Sequence, residues 1–191
     1  MRTVSVRILL LCAPLLLVAC GQPGEGEPVE EAEPAETAAA ETPAVEAMAT
    51  IEAKSGSGVS GTARFSYGNG VVTLHLEVAG ATPGEHAFHL HETGDCSAAD
   101  GTSAGGHWNP RQMDHGKLGE GDQFHYGDTG NLTVGEDGSG WAHVMTDLWS
   151  IGTGDENDIL GKAVIIHAGA DDFVSQPTGA AGGRIGCGVI E

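Results

Sequence analysis

An all-β fold, a Greek-key sandwich or barrel of about eight antiparallel strands with two long functional loops, is predicted by three features of this 191-residue chain. Turn signals recur every eight to twelve residues from Ala49 onward. No long stretch shows the 3.6-residue period of an amphipathic helix. Val72, Leu74, Leu76 and Val78 alternate with Thr73, His75 and Glu77, which is the period of a half-buried strand. Composition sets outer bounds. With 8 basic residues against 27 acidic ones the formal charge is −19, and generic nucleic-acid binding is excluded because phosphate contacts need Lys and Arg.

The elements follow in chain order. Arg2 and Arg7 precede an apolar run from Ile8 to Cys20, interrupted by Pro14 and about half the roughly 20 residues a spanning helix needs. Leu17-Val18-Ala19-Cys20-Gly21 resembles the lipobox of bacterial lipoproteins, which implies cleavage after residue 19 and lipid attachment at Cys20. An ordinary secretion leader fits less well, since its cleavage site needs small residues but no Cys. The absence of Asp after Cys20 points to the outer membrane, facing the periplasm, as the location in the bacterial cell envelope. Residues 20–48 then form an acidic linker, with eight Glu, four Pro and neither Lys nor Arg between 21 and 48. A segment with so little to bury is expected to act as a disordered stalk.

The globular part is expected over 49–191, where 51–191 carry 6 basic and 19 acidic residues, a charge of −13. Ala63–Tyr67 and Val72–Val78, separated by Gly68-Asn69-Gly70, read as a hairpin, as do Asn131–Val134 and Trp141–Met145 around Gly135-Glu136-Asp137-Gly138. Lys162–His167 and Arg184–Ile190 supply later strands. Segments 92–130 and 168–183 stay irregular, and loops of that length inside a compact domain are usually functional.

The chemistry lies in the histidines. In the strand Gly84–His91, residues two apart share a face, so His89 and His91 point together while Phe88 and Leu90 point inward. Two imidazoles on one face make a pair of nitrogen ligands for copper or zinc. His86 has the other parity and reads as a buried, hydrogen-bonded structural residue. The loop that follows carries His107, His115, His125 and Asp128, an N/O set of the kind zinc takes. The strand Lys162–His167 ends on another His. His75 and His143, on strands outside these segments, read as surface or packing residues.

Six segments in order resemble the copper-zinc superoxide dismutase family. They are His86-Ala87-Phe88-His89-Leu90-His91-Glu92, Gly94-Asp95-Cys96, Ser103 to Pro110 around Gly106-His107-Trp108, His125-Tyr126-Gly127-Asp128-Thr129-Gly130-Asn131, Gly161 to His167, and Gly183-Arg184-Ile185-Gly186-Cys187-Gly188-Val189-Ile190. The resemblance implies dismutation of superoxide to oxygen and hydrogen peroxide, with one copper and one zinc ion per subunit. His89, His91, His107 and His167 would hold copper; His107, His115, His125 and Asp128 would hold zinc, with His107 bridging the two ions and passing a proton. Asp171 would join ligands of both ions through their second nitrogens, and Arg184 would dock the anion. The resemblance also implies a Cys96–Cys187 disulfide. The count agrees, since Cys12 leaves with the leader and Cys20 is lipidated. Closing a loop of about 90 residues is worth roughly 4–5 kcal/mol in the chain-entropy model. A homodimer is compatible with the resemblance, bacterial members differing in whether and how they pair.

Eukaryotic relatives carry a lysine in the loop before that arginine, whereas 168–183 here contain neither Lys nor Arg. Lys117, next to His115, is a candidate substitute. The same fold also admits a copper-holding or buffering lipoprotein without turnover, or a purely structural zinc module, but neither needs the full set of seven ligands together with Arg184.

Overall fold

The computed structural model describes residues 45–191, so the leader, Cys20 and the acidic segment as far as residue 44 lie outside the described residues. Within them the chain forms β1 (Val45–Ala53), β2 (Ser60–Gly68), β3 (Val71–Ala79), β4 (Gly84–His91), β5 (Gly130–Val134), β6 (Gly140–Thr146), β7 (Ala163–His167) and β8 (Arg184–Val189). Around the wall the order is β1-β2-β3-β6-β5-β4-β7-β8, and β8 pairs with β1 to close an antiparallel barrel. The steps from β3 to β6 and from β4 to β7 are the Greek-key crossovers. Closure gives every strand a neighbour on both sides, although β5 and β6 share only Thr133↔Trp141 and Val134↔Gly140.

Alternation fills the interior. In β3 the side chains of Val72, Leu74, Leu76 and Val78 are buried while His75 and Glu77 face solvent, as the period of two requires. Phe65, Phe88, Leu90, Leu132 and Ile166 meet them across the barrel. The β2–β3 turn places Asn69 and Gly70 at φ 54° and 82°. Positive φ at both central residues is the hairpin turn whose twist matches the strands, and Asn-Gly is its preferred pair.

β1 differs from the sequence reading. It begins at Val45, and residues 45–48, read as the end of the linker, are paired with β2 from Val45↔Tyr67 to Met48↔Arg64. Its inward side chains are Ala47, Ala49 and Ile51. Alanines alternating with Glu and Thr give a weak apolar signal beside a Glu-rich segment. The two long irregular stretches expected at 92–130 and 168–183 are present, the first interrupted by a 3₁₀ turn at Thr102–Ala104. A third, residues 147–162, lies against the core through Trp149, Ile151 and Ile159.

Candidate metal centre

The site forms where β4 loses its β5 neighbour. β4 pairs with β5 only as far as Phe88↔Gly130, while on its other side β7 continues from Phe88↔Ile166 to His91↔Ala163. Beyond Phe88 the loop takes over the vacated edge. Leu90 N–H donates to the Gly127 carbonyl at 3.0 Å, and Trp108 N–H donates to the Leu90 carbonyl at 2.8 Å. Gly127 N–H in turn donates to the Trp108 carbonyl at 3.0 Å. A Cβ at residue 127 would sit 2.1 Å from the Leu90 carbonyl oxygen, so only glycine allows this approach. The loop thereby carries His107 over His89 and His91, with a backbone bridge between His91 and His107.

Two groups result, each with ligand atoms within 4.8 Å of one another: His89, His91, His107 and His167, and His107, His115, His125 and Asp128. All are buried. Every sequence-predicted metal ligand is therefore brought into one of the two groups, and His107 belongs to both.

The second nitrogen of each ring explains which atom is offered. His89 Nε2 donates to Asp171 Oδ2 at 2.7 Å, His91 Nδ1 to the Gly105 carbonyl at 3.0 Å, and His167 Nδ1 to the Gly182 carbonyl at 3.2 Å. These partners are acceptors only, so each of those nitrogens carries the hydrogen and the other nitrogen of the ring holds a lone pair. The nitrogens left over, His89 Nδ1, His91 Nε2 and His167 Nε2, are buried without any hydrogen-bond partner, as is His107 Nε2. Four converging buried lone pairs with nothing to bind are costly unless a cation fills the gap. The donor set fits a metal ion.

In the second group His107 Nδ1, His115 Nδ1 and His125 Nδ1 approach Asp128 Oδ1 at 2.7, 3.0 and 3.1 Å. Although close, His115 Nδ1 lacks hydrogen-bond geometry toward that oxygen. Three imidazoles crowding one carboxylate oxygen fit a shared tetrahedral ion better than three hydrogen bonds. His115 Nε2 is anchored on Asp171 Oδ1 at 2.9 Å and His125 Nε2 on the Met113 carbonyl at 3.1 Å. His107 alone has no anchor outside the two groups: Nδ1 faces one and Nε2 the other.

Asp171 thus links His89 of the first group to His115 of the second. Asn131 holds its backbone at both ends: Asn131 Nδ2 donates to the Asp171 carbonyl at 3.0 Å, and Asp171 N–H donates to Asn131 Oδ1 at 2.7 Å. Gln176 does the same for His115, at 2.7 and 2.9 Å. Gly179 permits the packing, since a Cβ there would lie 1.8 Å from Asp171 Oδ1. Sequence reasoning missed Asn131 and Gln176 as positioning residues, because partners 40 and 61 residues away leave no local pattern.

Electrostatics follow from burial. Loss of water pushes His91, His107 and His167 down to about 2, 4 and 3, with neighbouring imidazoles adding to the effect, so these rings are neutral at physiological pH. At His115 burial also lowers the pKa, but the adjoining carboxylates of Asp128 and Asp171 outweigh it and raise the ring to about 9. Burial opposes ionisation of Asp128 and Asp171 as well, yet the surrounding histidines hold both carboxylates well below the usual range.

Arg184 is half-buried at the start of β8, opposite His167. Its two terminal nitrogens donate to the Gly101 and Gly105 carbonyls, each at 2.7 Å, and Gly105 also accepts from His91. The guanidinium plane is therefore locked to the strand-borne group. A Cys96–Cys187 disulfide ties the same loop to β8, and buried Lys54 donates to the Cys96 carbonyl at 2.6 Å. Lys117 does not fill the role of an unpaired loop cation: its ammonium is matched by Glu120 and lies 5.4 Å from the centroid of Phe173. His86 is buried, with Nδ1 2.8 Å from the His167 carbonyl and Nε2 2.8 Å from the Thr82 carbonyl.

A closed antiparallel barrel whose outer wall carries two histidine-rich groups sharing one imidazole defines a class of β-barrel metal-binding proteins. Residues 59–190 match the family described as copper/zinc superoxide dismutase (SODC), and the chain belongs to that family. Two solved structures are similar. One, described as the clock protein EA4, is 34% identical at a TM-score of 0.68, covering 78% of this chain and 95% of its own. The other, a double mutant of a SOD-like protein from Bacillus subtilis, is 34% identical at a TM-score of 0.66, covering 74% of this chain and 95% of its own.

Proposed function

We propose that this protein is a superoxide dismutase of the bacterial cell envelope, exported by its leader and anchored through a lipid on Cys20. The observation that carries the activity is His107, the one site imidazole with both ring nitrogens directed at ligand groups. Copper would be held by His89, His91, His107 and His167, and zinc by His107, His115, His125 and Asp128. Copper bound there would supply one-electron exchange with superoxide, giving oxygen in one half-reaction and, with two protons taken up, hydrogen peroxide in the other. The remaining work falls to side chains of this chain. His107 Nε2 is the atom at which a proton can be held and returned, and the Nδ1 contact with Asp128 keeps the ring from turning meanwhile. Asp171 fixes the tautomers of His89 and His115, so neither ligand swings as charge changes. Arg184, its plane fixed by two carbonyls, keeps further N–H donors for an anion. Its positive field must work against a domain charge near −13.

Pulse radiolysis tests the reading. The full chain loaded with copper and zinc should speed superoxide decay far beyond free copper, and the zinc-only protein should not. Metals demonstrably bound with decay no faster than free copper would overturn it. That outcome would favour a copper-holding lipoprotein of the same fold, in which the two donor groups bind metal without turnover.

A further inference from the structure

His75 of β3 and His143 of β6 stand directly opposite each other on the outer wall of the barrel. Both are exposed, with ring centroids 4.6 Å apart and planes inclined by 54°. The sequence reading of both as surface or packing residues leaves out their pairing. The molecule supplies its own yardstick for such a spacing. Imidazole pairs within the strand-borne metal group have centroids 4.1 to 6.2 Å apart, and the surface pair falls inside that range. Opposed residues of an antiparallel pair have Cβ atoms about 4.5–5.5 Å apart, close enough for two rings to turn one nitrogen each toward a common ion.

The surroundings suit a soft or borderline cation. Met145 of β6, 62% exposed, and Glu77 of β3 lie on the same face, and among the described residues the pair shares no third His, Cys or carboxylate donor within 4.8 Å. Arg64, opposite His75 on β2, lies on the side away from His143, and its guanidinium contacts Met48 Sδ at 3.6 Å. The wall formed by β3 and β6 is separate from the β4–β7 wall that carries the buried groups.

We propose that His75 and His143 form a third, solvent-open metal site that takes a divalent transition-metal ion. Two imidazoles follow the general affinity order, so Cu(II) binds most tightly. Because the remaining coordination positions face solvent, water or a donor from another molecule completes the shell, and the ion exchanges readily. The site is one of metal acquisition or holding at the surface, independent of the buried groups and of whether they turn over superoxide.

The test uses the full chain with both buried groups filled and their occupancy verified. Calorimetric titration with Cu(II) should reveal one further equivalent, and electron paramagnetic resonance should show a second copper signal with nitrogen coupling. His75→Ala and His143→Ala should each weaken that binding by at least about tenfold, because the second donor acts intramolecularly. The double variant should add little more. Both side chains are exposed, so circular dichroism and superoxide decay should match the parent. The proposal is overturned by the absence of a further equivalent, or by its persistence at full affinity in either single variant.

Discussion

The two buried groups are built from different materials. Three of the four donors in the first come from strands: His89 and His91 from β4 and His167 from β7. All four donors of the second lie in the loop between β4 and β5. The barrel ladder positions the first group, and backbone carbonyls at Gly105 and Gly182 set two of its tautomers. The second depends on side chains that reach in from elsewhere, Asp171 and Gln176 above all. A strand-borne site is thus prepared by folding, whereas a loop-borne one is completed by its outer partners and by the ion it receives.

The sharpest way to break this contrast is to remove the residue common to both groups. His107→Ala should reduce superoxide decay by more than the about 10–100-fold that loss of an outer partner usually costs, measured by pulse radiolysis. Metal analysis should show both groups impaired. Next comes Asp171→Asn, which disturbs one anchored imidazole in each group. Chelator competition should show metal affinity falling about 10–100-fold in the loop group and less in the strand group, since β4 still holds His89. Equal losses would mean that the strand offers no protection.

Cys96→Ser with Cys187→Ser releases the loop from β8. The expected cost is about 2–5 kcal/mol in urea unfolding of protein stripped of metal by chelation. The smallest effects concern protons. His91, His107 and His167 have folded pKa values of about 2, 4 and 3 against an ordinary 6.5, so the unfolded chain binds more protons as pH falls below 6.5. Stability of the metal-free protein should therefore fall with pH from about 6.5 downward. His115 works in the opposite sense: raised from 6.5 to about 9, it stabilises fully below 6.5, and that contribution is lost as pH rises through 9. Zinc taken up at pH 7.5 should accordingly release about one proton, readable by calorimetry in buffers of different ionisation enthalpy. Uptake without proton release would show that His115 is neutral beforehand.

Local period made most of the barrel legible. Alternation at Val72–Val78 and the Asn-Gly turn before it reappear as β3 and its hairpin. The weakly apolar alternation of β1 did not carry the same information, and only its pairing with β2 and β8 shows it to be part of the wall. Among the functional residues, the His-x-His strand was visible because a period of two puts both rings on one face. Asn131 and Gln176 were not, since their work is done on backbone far along the chain.

By itself the sequence determined the donors: which imidazoles and carboxylates exist, their order along the chain, and the excess of acidic charge. Tertiary structure alone decided how they are used. It selected Nδ1 of His89 and Nε2 of His91 and His167 as the free nitrogens, joined His89 and His115 through Asp171, and set His75 against His143. The physical reason is common to all three. Each outcome depends on a partner brought close by strand register or loop closure, and a hydrogen bond or ion pair between residues that meet only in space leaves no mark on either one's neighbours in the chain.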